Sequence, residues 1–411
     1  MGWRNWNFYE GDITQSIIEA NMDAMADRSR GNVSLLDLGY TRAGLDDNWQ
    51  ACGTGVNDGF HAKDGTPLVN KSRFPDMKAM VNHGHVLGLH VGWYDNNCIC
   101  GEHHEDATQV ALDVSGDVAF VAAMGFDGLK ADGCGPGRDL PALARQLNQT
   151  GRQVLLENCH YYKWPNSSLP PGAQPDPRGI NRMWPYWKDN VTGGELVCQE
   201  HTFRTSNDIR NSWSSWFGNL ATLAAYQDPV HPISQPGCWA YADMLMVGVF
   251  ANPHAPSAGP ALSVTEWKSH FGAWTINSSP LIRSFDLTNQ TTMDSVWPFI
   301  ANKRAIEVNQ AWAGHPGREL PQSVAGEYSV WTKPLLNASF ALLLVSMRTA
   351  GATDAELDVA AVEPACAHAP CDATDVWTGA AAGASAVGLY SLKGVAPHDS
   401  VFLRFTVRES T

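Results

Sequence analysis

The sequence predicts an α/β protein, a (β/α)8 TIM barrel followed by a C-terminal antiparallel β-sandwich, from three observations. Short apolar or β-branched runs ending in polar residues recur roughly every 30 to 50 positions, with helix-like stretches between them, which is the rhythm of a parallel barrel. The chain has 411 residues, too many for one ordinary core but enough for a barrel of about 250 residues or more with a smaller unit attached. After about Gly317 the pattern changes to short alternating strands separated by Gly, Ala and Pro turns. The expected division is a barrel over residues 1–316 and a β-sandwich over residues 317–411.

Strand ends are expected at Trp3 to Trp6, Ala43 to Asp46, Leu89 to Tyr94, Gly128 to Asp132, Val154 to Asn158, His201 to Arg204, Met244 to Val247 and Leu281 to Arg283. Between them, capping residues and amphipathic spacing predict helices over Asp12 to Met25, Pro75 to His85, Ala107 to Met124, Asp139 to Thr150, Asp208 to Tyr226 and Ser263 to Ile276. In the C-terminal part, strands are expected over Tyr328 to Thr332, Phe340 to Met347, Ala355 to Val359, Gly388 to Leu392 and Ser400 to Val407. The Ala/Gly-rich stretch Thr378 to Val387 reads as a loop.

Composition narrows the partners. A hydrophobic content of 44% with 17% charged residues describes a well-filled globular protein. A net charge of -14 repels phosphate backbones and anionic lipid, so nucleic acid is not an expected partner. No apolar run reaches the ~18 to 20 residues of a membrane span, and membrane association is not expected. Sixteen tryptophans suit sugar-ring faces as well as cores, and most are expected in the core.

Asn-X-Ser/Thr sequons at Asn32, Asn70, Asn148, Asn166, Asn190, Asn277, Asn289 and Asn337 favour a secretory-pathway protein, secreted or lysosomal/vacuolar, with its leader absent from this sequence. Nine cysteines point the same way. Cys366 with Cys371, and Cys159 with Cys198, are candidate loop-closing pairs, and Cys98 or Cys100 could bridge to Cys134. Cys98, Cys100, His103 and His104 also resemble a zinc ligand set, but the disulfide reading fits an oxidising compartment better.

Strand ends in such a barrel converge on one mouth. Here they carry Asp46, Asp47, Trp49, Tyr94, Asp95, Lys130, Asp132, Glu157, Asn158, Arg204 and Asp208. Carboxylates with aromatics suit a polyhydroxylated ligand, and breaking a glycosidic bond needs two carboxyl groups, one at the anomeric carbon and one to protonate the leaving oxygen. Asp132 and Asp208, each beside a basic residue, are the candidate pair. Lys130, two residues before Asp132, shares its strand face and favours the ionised carboxylate. Negative neighbours at the mouth are expected to keep Asp208 protonated. The competing structural roles are helix capping, by Asp208 before an Ile-Trp-Trp stripe and by the Asp46 and Asp47 pair.

The motifs MGWRNW, LDDNWQ (Leu45 to Gln50), RFPDMKAM, GLHVGWY (Gly88 to Tyr94), GLKADGC (Gly128 to Cys134), RTSNDI (Arg204 to Ile209), ADML (Ala242 to Leu245) and INSSPLI (Ile276 to Ile282) occur in the order found in glycoside hydrolase family 27. The chain resembles the α-galactosidases and α-N-acetylgalactosaminidases of that family over nearly its whole length. The resemblance implies a retaining double displacement with Asp132 as nucleophile and Asp208 as acid and then base. It also implies Asp46 and Asp47 on the 4- and 6-hydroxyls of a terminal galactose, Trp6 and Tyr94 as pocket wall, Lys130 on the 3- and 4-hydroxyls and Arg204 at the 2-position. No metal or organic cofactor is implied, the partner is a carbohydrate with a terminal α-galactoside, and a homodimer is compatible with the family.

Several positions depart from the family pattern. His160 stands where the family places the Glu or Ser that reads the 2-substituent, which leaves α-galactosidase, α-N-acetylgalactosaminidase and β-L-arabinopyranosidase as related readings. The Pro-rich insertion between Tyr161 and Val197 is longer than usual. Trp239-Ala240-Tyr241-Ala242-Asp243 replaces a Trp-Asn-Asp-Pro-Asp run, and Asn48 replaces a cysteine. From other classes, a non-catalytic galactoside-binding barrel would have no use for an acid and a nucleophile together. A metal-dependent hydrolase would need the Cys98 cluster.

Overall fold

The computed structural model describes residues 1–95, 98–102, 106–132, 140–159, 186–188, 196–198, 200–230, 232–250 and 261–408. In chain order the first strands are β1 (Gly2–Arg4), β2 (Arg42–Gly44), β3 (His90–Asp95), β4 (Gly128–Asp132), β5 (Leu155–Cys159), β6 (Tyr186–Lys188), β7 (Leu196–Cys198), β8 (Thr202–Arg204), β9 (Trp239–Tyr241) and β10 (Ile282–Arg283). β6 and β7 form a separate hairpin, and the other eight make one parallel sheet in the order β10-β1-β2-β3-β4-β5-β8-β9. A parallel bridge between Leu245 and Arg283 closes the ring.

The seventh strand differs from expectation. Met244 to Val247 was expected, but the ladder to β8 is made by Trp239–Tyr241, and Leu245 bonds to β10 on the other side, its N–H donating to the Ile282 carbonyl at 2.8 Å. Asp243 between them has φ 87°, which interrupts the extended run and lets one segment serve both neighbours.

Helix starts follow the caps. The first long helix begins at Gln15 rather than Asp12 because Thr14 accepts from the Ile17 N–H. The next begins at Met77 because Asp76 accepts from Ala79. Ser263 and Glu266 form a capping box at the head of Val264–Ile276. The helix expected from Asp208 begins only at Trp213, with Ser212 at its cap, so Asp208 lies in the preceding loop rather than at the helix start. No α-helix follows Asp46 and Asp47 before Met77 either, which removes the capping role for that pair. Three α-helices went unexpected, the short Trp6–Tyr9 and the longer Gln290–Ile300 and Lys303–Gln310, the last two capped by Asn289 and Asn302.

Ala107–Met124 is long and apolar enough by composition to cross a membrane. Here it is the barrel helix between β3 and β4, and its Asp113 and Asp117 face a buried histidine.

The C-terminal part has β11 (Arg318–Glu319), β12 (Tyr328–Leu335), β13 (Ser339–Ser346), β14 (Thr353–Asp358), β15 (Cys371–Asp375), β16 (Ala381–Ala384), β17 (Leu389–Val395) and β18 (Ser400–Val407). Six of these form an antiparallel sheet in the order β11-β12-β13-β18-β15-β16, and β14 pairs with β17. β16 lies inside the stretch expected to be a loop. Its small residues suit an edge, where little side chain is packed.

Every residue of β13 is buried, which explains its unbroken Ala-Leu-Leu-Leu-Val run. Leu342 and Leu344 enter the core between the two C-terminal sheets, while Leu343 and Val345 join the barrel core. Trp3, Trp49, Trp93, Trp216, Trp267 and Trp274 are fully buried, as expected of most tryptophans.

Disulfides join Cys52 to Cys100, Cys198 to Cys238 and Cys366 to Cys371. The last was expected. The proposed Cys159–Cys198 pair does not form: Cys198 lies 6.0 Å (Cα–Cα) from Cys238, and Cys159 is a buried thiol at the inward end of β5. Cys100 bonds Cys52 instead of Cys134, whereas Cys98 is also disulfide-bonded; Cys134 lies outside the described residues. With Cys98 and Cys100 oxidised, the zinc reading loses both thiolates, and His103 and His104 lie outside the described residues. Among the sequons, Asn277 is only 1% exposed and both its amide atoms are bonded, to Gln227 and to the Ala273 carbonyl, so the folded chain offers no room there for a glycan.

Candidate active site

The C-terminal ends of the strands surround a cavity of about 260 Å³ that brings together Trp6, Asp46, Asp47, Tyr94, Lys130, Asp132, Arg204 and Asp208. Four other residues expected at the mouth do not line it: Trp49 is buried with its indole donating to the Tyr94 carbonyl, Asp95 and Asn158 are buried, and Glu157 lies deeper, beside Arg4; His160 lies outside the described residues. Inward alternation explains the gathering. Lys130 and Asp132 are two apart on β4 and share a face, as do Tyr94 at the end of β3 and Arg204 on β8.

On one side of the cavity, Lys130 Nζ lies 2.8 Å from Asp46 Oδ2, and Arg4 Nη1 lies 3.6 Å from the same oxygen. Arg4 Nη2 is also 2.9 Å from Glu157 Oε2. Burial opposes the Lys130 charge, but the Asp46 carboxylate outweighs it and holds the ammonium above its ordinary pKa. Lys130 also sits 5.1 Å over the Tyr94 ring, and the Tyr94 hydroxyl donates to Asp132 Oδ2 at 2.9 Å. Asp132 is half-buried, with Lys130 close enough for its charge to be felt.

Asp47 is fully buried. Its Oδ1 accepts from the Asn48 N–H at 2.7 Å and from Gln50 Nε2 at 2.9 Å, and its Oδ2 from the Ile99 N–H at 3.2 Å. Burial nevertheless dominates those bonds and pushes the carboxyl up to about 6, with the Asp46 charge adding to the shift. A carboxyl raised on folding contributes stability below its unfolded pKa and loses it as pH rises through the folded value. Stability is therefore expected to fall by about 2 kcal/mol between pH 4 and 7 on this account. Urea denaturation across that range should show the loss in the parent chain and not in Asp47→Asn; equal slopes in both would reject the shift.

On the opposite side, Arg204 is 2% exposed. Its Nη2 lies 2.8 Å from Asp208 Oδ1 and 3.1 Å from Asp243 Oδ2, and its Nη1 donates to Cys159 Sγ at 3.3 Å. The Asp208 side chain is 63% exposed. The Arg204 guanidinium is one of its hydrogen-bond partners.

Asp243 went unrecognised from the sequence as a member of the site. It is buried, accepts from the Ile209 N–H at 2.8 Å, and so ties the segment bearing Asp208 to the seventh strand. The available signal was an aspartate at the end of the altered Trp239 to Asp243 run. Met244 and Met246 line the cavity as well.

Behind the mouth lies an ionic cluster that the sequence did not signal. His61 is 2% exposed, with Nδ1 2.9 Å from Glu102 Oε1, Nε2 2.8 Å from Asp117 Oδ1, and Asp113 Oδ2 at 3.9 Å. Burial lowers its pKa, but Asp117, Glu102 and Asp113 together raise it to about 10, so it is an imidazolium at neutral pH. It pins the loop after β2, which carries the Cys52–Cys100 disulfide, to helix Ala107–Met124.

A (β/α)8 barrel whose mouth gathers carboxylates from the ends of several strands and the loops that follow them fits a glycoside hydrolase. The family model for alpha galactosidase A matches residues 1–311, and that for the alpha galactosidase C-terminal beta sandwich domain matches residues 325–405. The chain belongs to this family, glycoside hydrolase family 27, and is a glycosidase that hydrolyses glycosidic bonds. It is 28% identical over 367 residues to a probable alpha-galactosidase of Dictyostelium discoideum, covering 86% of this chain and 78% of that protein. It is 29% identical over 366 residues to an alpha-N-acetylgalactosaminidase of Gallus gallus, covering 85% and 79%. Alpha-galactosidase I from Mortierella vinacea has the same fold, with TM-score 0.72, 21% identity and coverage of 100% and 98%.

Proposed function

We propose that the chain is a retaining α-galactosidase that releases terminal α-D-galactose by double displacement. The observation that carries this reading is the presence of Asp132, on β4, and Asp208, in the loop after β8, in one cavity that also holds a Lys130–Asp46 pair. Asp132 attacks the anomeric carbon and forms a covalent glycosyl-aspartate, its carboxylate oriented by the Tyr94 hydroxyl. Asp208 protonates the leaving oxygen, then takes a proton from the water that hydrolyses the intermediate. For the first step the Arg204 contact must be drawn off Asp208. A sugar substituent at the 2-position takes up Arg204, with Asp243 keeping the guanidinium in place. Asp46 and Asp47 accept from the 4- and 6-hydroxyls, Lys130 donates to the 3- and 4-hydroxyls, and Trp6 and Tyr94 wall the ring.

Relatives named as alpha-N-acetylgalactosaminidases stand beside the alpha-galactosidases, so α-N-acetylgalactosamine is the second substrate reading, with β-L-arabinopyranose a third. A panel of nitrophenyl glycosides separates these, with the α-galactoside expected to be cleaved fastest. Proton NMR of the fresh product is expected to show α-galactose first. The β-anomer appearing first would reject double displacement. The disulfides fit an oxidising compartment, and we place the enzyme in the secretory pathway, secreted or lysosomal/vacuolar.

A further inference from the structure

Below the catalytic mouth, at the N-terminal face of the barrel, lies a second cavity of about 220 Å³. Its origin is visible in the strand register: Gly44 is opposite Gly92, and Gly92 is opposite Gly128. Three adjacent strands thus contribute no side chain to a layer that barrels ordinarily fill with bulky residues.

The deep end is polar and incompletely bonded. Arg4, Glu157 and Thr202 are 7%, 2% and 8% exposed, and all three line the cavity. Glu157 Oε2 is taken by Arg4, but Glu157 Oε1, Arg4 Nε and Thr202 Oγ1 have no hydrogen-bond partner among the described residues. Glu157 and Thr202 face each other across β5 and β8. A buried polar atom left unbonded costs about 1–3 kcal/mol, so these atoms call for an occupant. The outer walls are apolar, with Leu155, Trp239 and Ile282.

Size and charge narrow the occupant. A cavity of roughly 150 Å³ accepts a six-membered ring, and this one is larger. The Arg4 and Glu157 charges cancel at the deep end, so a net charge on the ligand has no partner there, and Arg42 at the rim disfavours a cation. We propose that this cavity is a binding site for a neutral hydroxylated molecule of monosaccharide size. Its hydroxyls meet Glu157 Oε1 and Thr202 Oγ1, and its apolar face lies along Trp239 and Leu155. The inference rests on this geometry and stands whichever sugar the catalytic mouth prefers.

The test follows the Trp239 indole N–H resonance of the full chain by NMR, assigned with Trp239→Phe, during titration with D-glucose and with D-galactose. Glucose is included because it lacks the axial 4-hydroxyl that the mouth is proposed to select. Both sugars are expected to shift the resonance saturably. The double variant Gly92→Ala/Gly128→Ala is expected to weaken that binding by roughly tenfold or more. The added methyls fit without strain, their closest neighbours being 3.6 and 3.5 Å away, with neither glycine at positive φ. Should that variant fail to fold, Thr202→Val is expected to give a similar loss by removing a hydrogen-bond partner. No saturable shift with either sugar would mean that the cavity holds only water and would overturn the proposal. An undiminished shift in whichever of these variants folds would overturn it too.

Discussion

Asp132→Ala is expected to lower turnover of an α-galactoside by roughly 10^4-fold or more while leaving the fold intact. The carboxylate sits half-buried at the inward end of β4 and accepts a hydrogen bond from the Tyr94 hydroxyl. Truncation opens the site to water without exposing an apolar core, and the hydroxyl is readily re-solvated. Denaturation midpoints of parent and variant should therefore agree closely. Azide, small enough to enter the vacated space, is expected to restore part of the turnover and to yield β-galactosyl azide, a product that a merely structural aspartate would not produce. Turnover within tenfold of the parent would remove Asp132 from the nucleophile's role.

His61→Ala should have the largest effect on stability, about 3–5 kcal/mol. The substitution leaves Glu102, Asp113 and Asp117 buried around a vacated imidazolium, so like charges lose their common counter-charge. The pH dependence supplies a second check. A histidine raised on folding contributes stability that is complete below its unfolded pKa, near 6.5, and is lost as pH climbs toward the folded value of about 10. The parent chain is expected to lose stability between pH 7 and 10, and the variant to lack that component. A cost under about 1 kcal/mol at pH 6, measured by urea denaturation, would show that the cluster does not pin the loop after β2.

How much of this was legible in the sequence depends on the range of the interactions involved. β3, β4 and β5 and helix Ala107–Met124 were found nearly to the residue, because hydrophobic periodicity and caps act over a few positions. Lys130 beside Asp132 was found for the same reason, two residues apart on one strand face. The segment around Asp243 was misplaced by a few residues because a positive φ at Asp243 breaks the extended run, which strand alternation does not signal. The Asn-capped helices Gln290–Ile300 and Lys303–Gln310 were missed, although their capping residues stood in plain view.

By itself, then, the order of residues determined the barrel and sandwich, the convergence of Asp46, Tyr94, Lys130, Asp132 and Arg204 on one mouth, and the family, since each depends on local pattern and strand alternation. Only the tertiary structure decided that Arg204 sits between Asp208 and Asp243, that Cys198 bonds Cys238, that His61 is held among three acids, and that a hollow layer runs beneath the mouth. Those outcomes depend on side chains separated by tens to hundreds of residues meeting at hydrogen-bond distance, and on strand register, which places glycines side by side; neither is encoded within any local stretch.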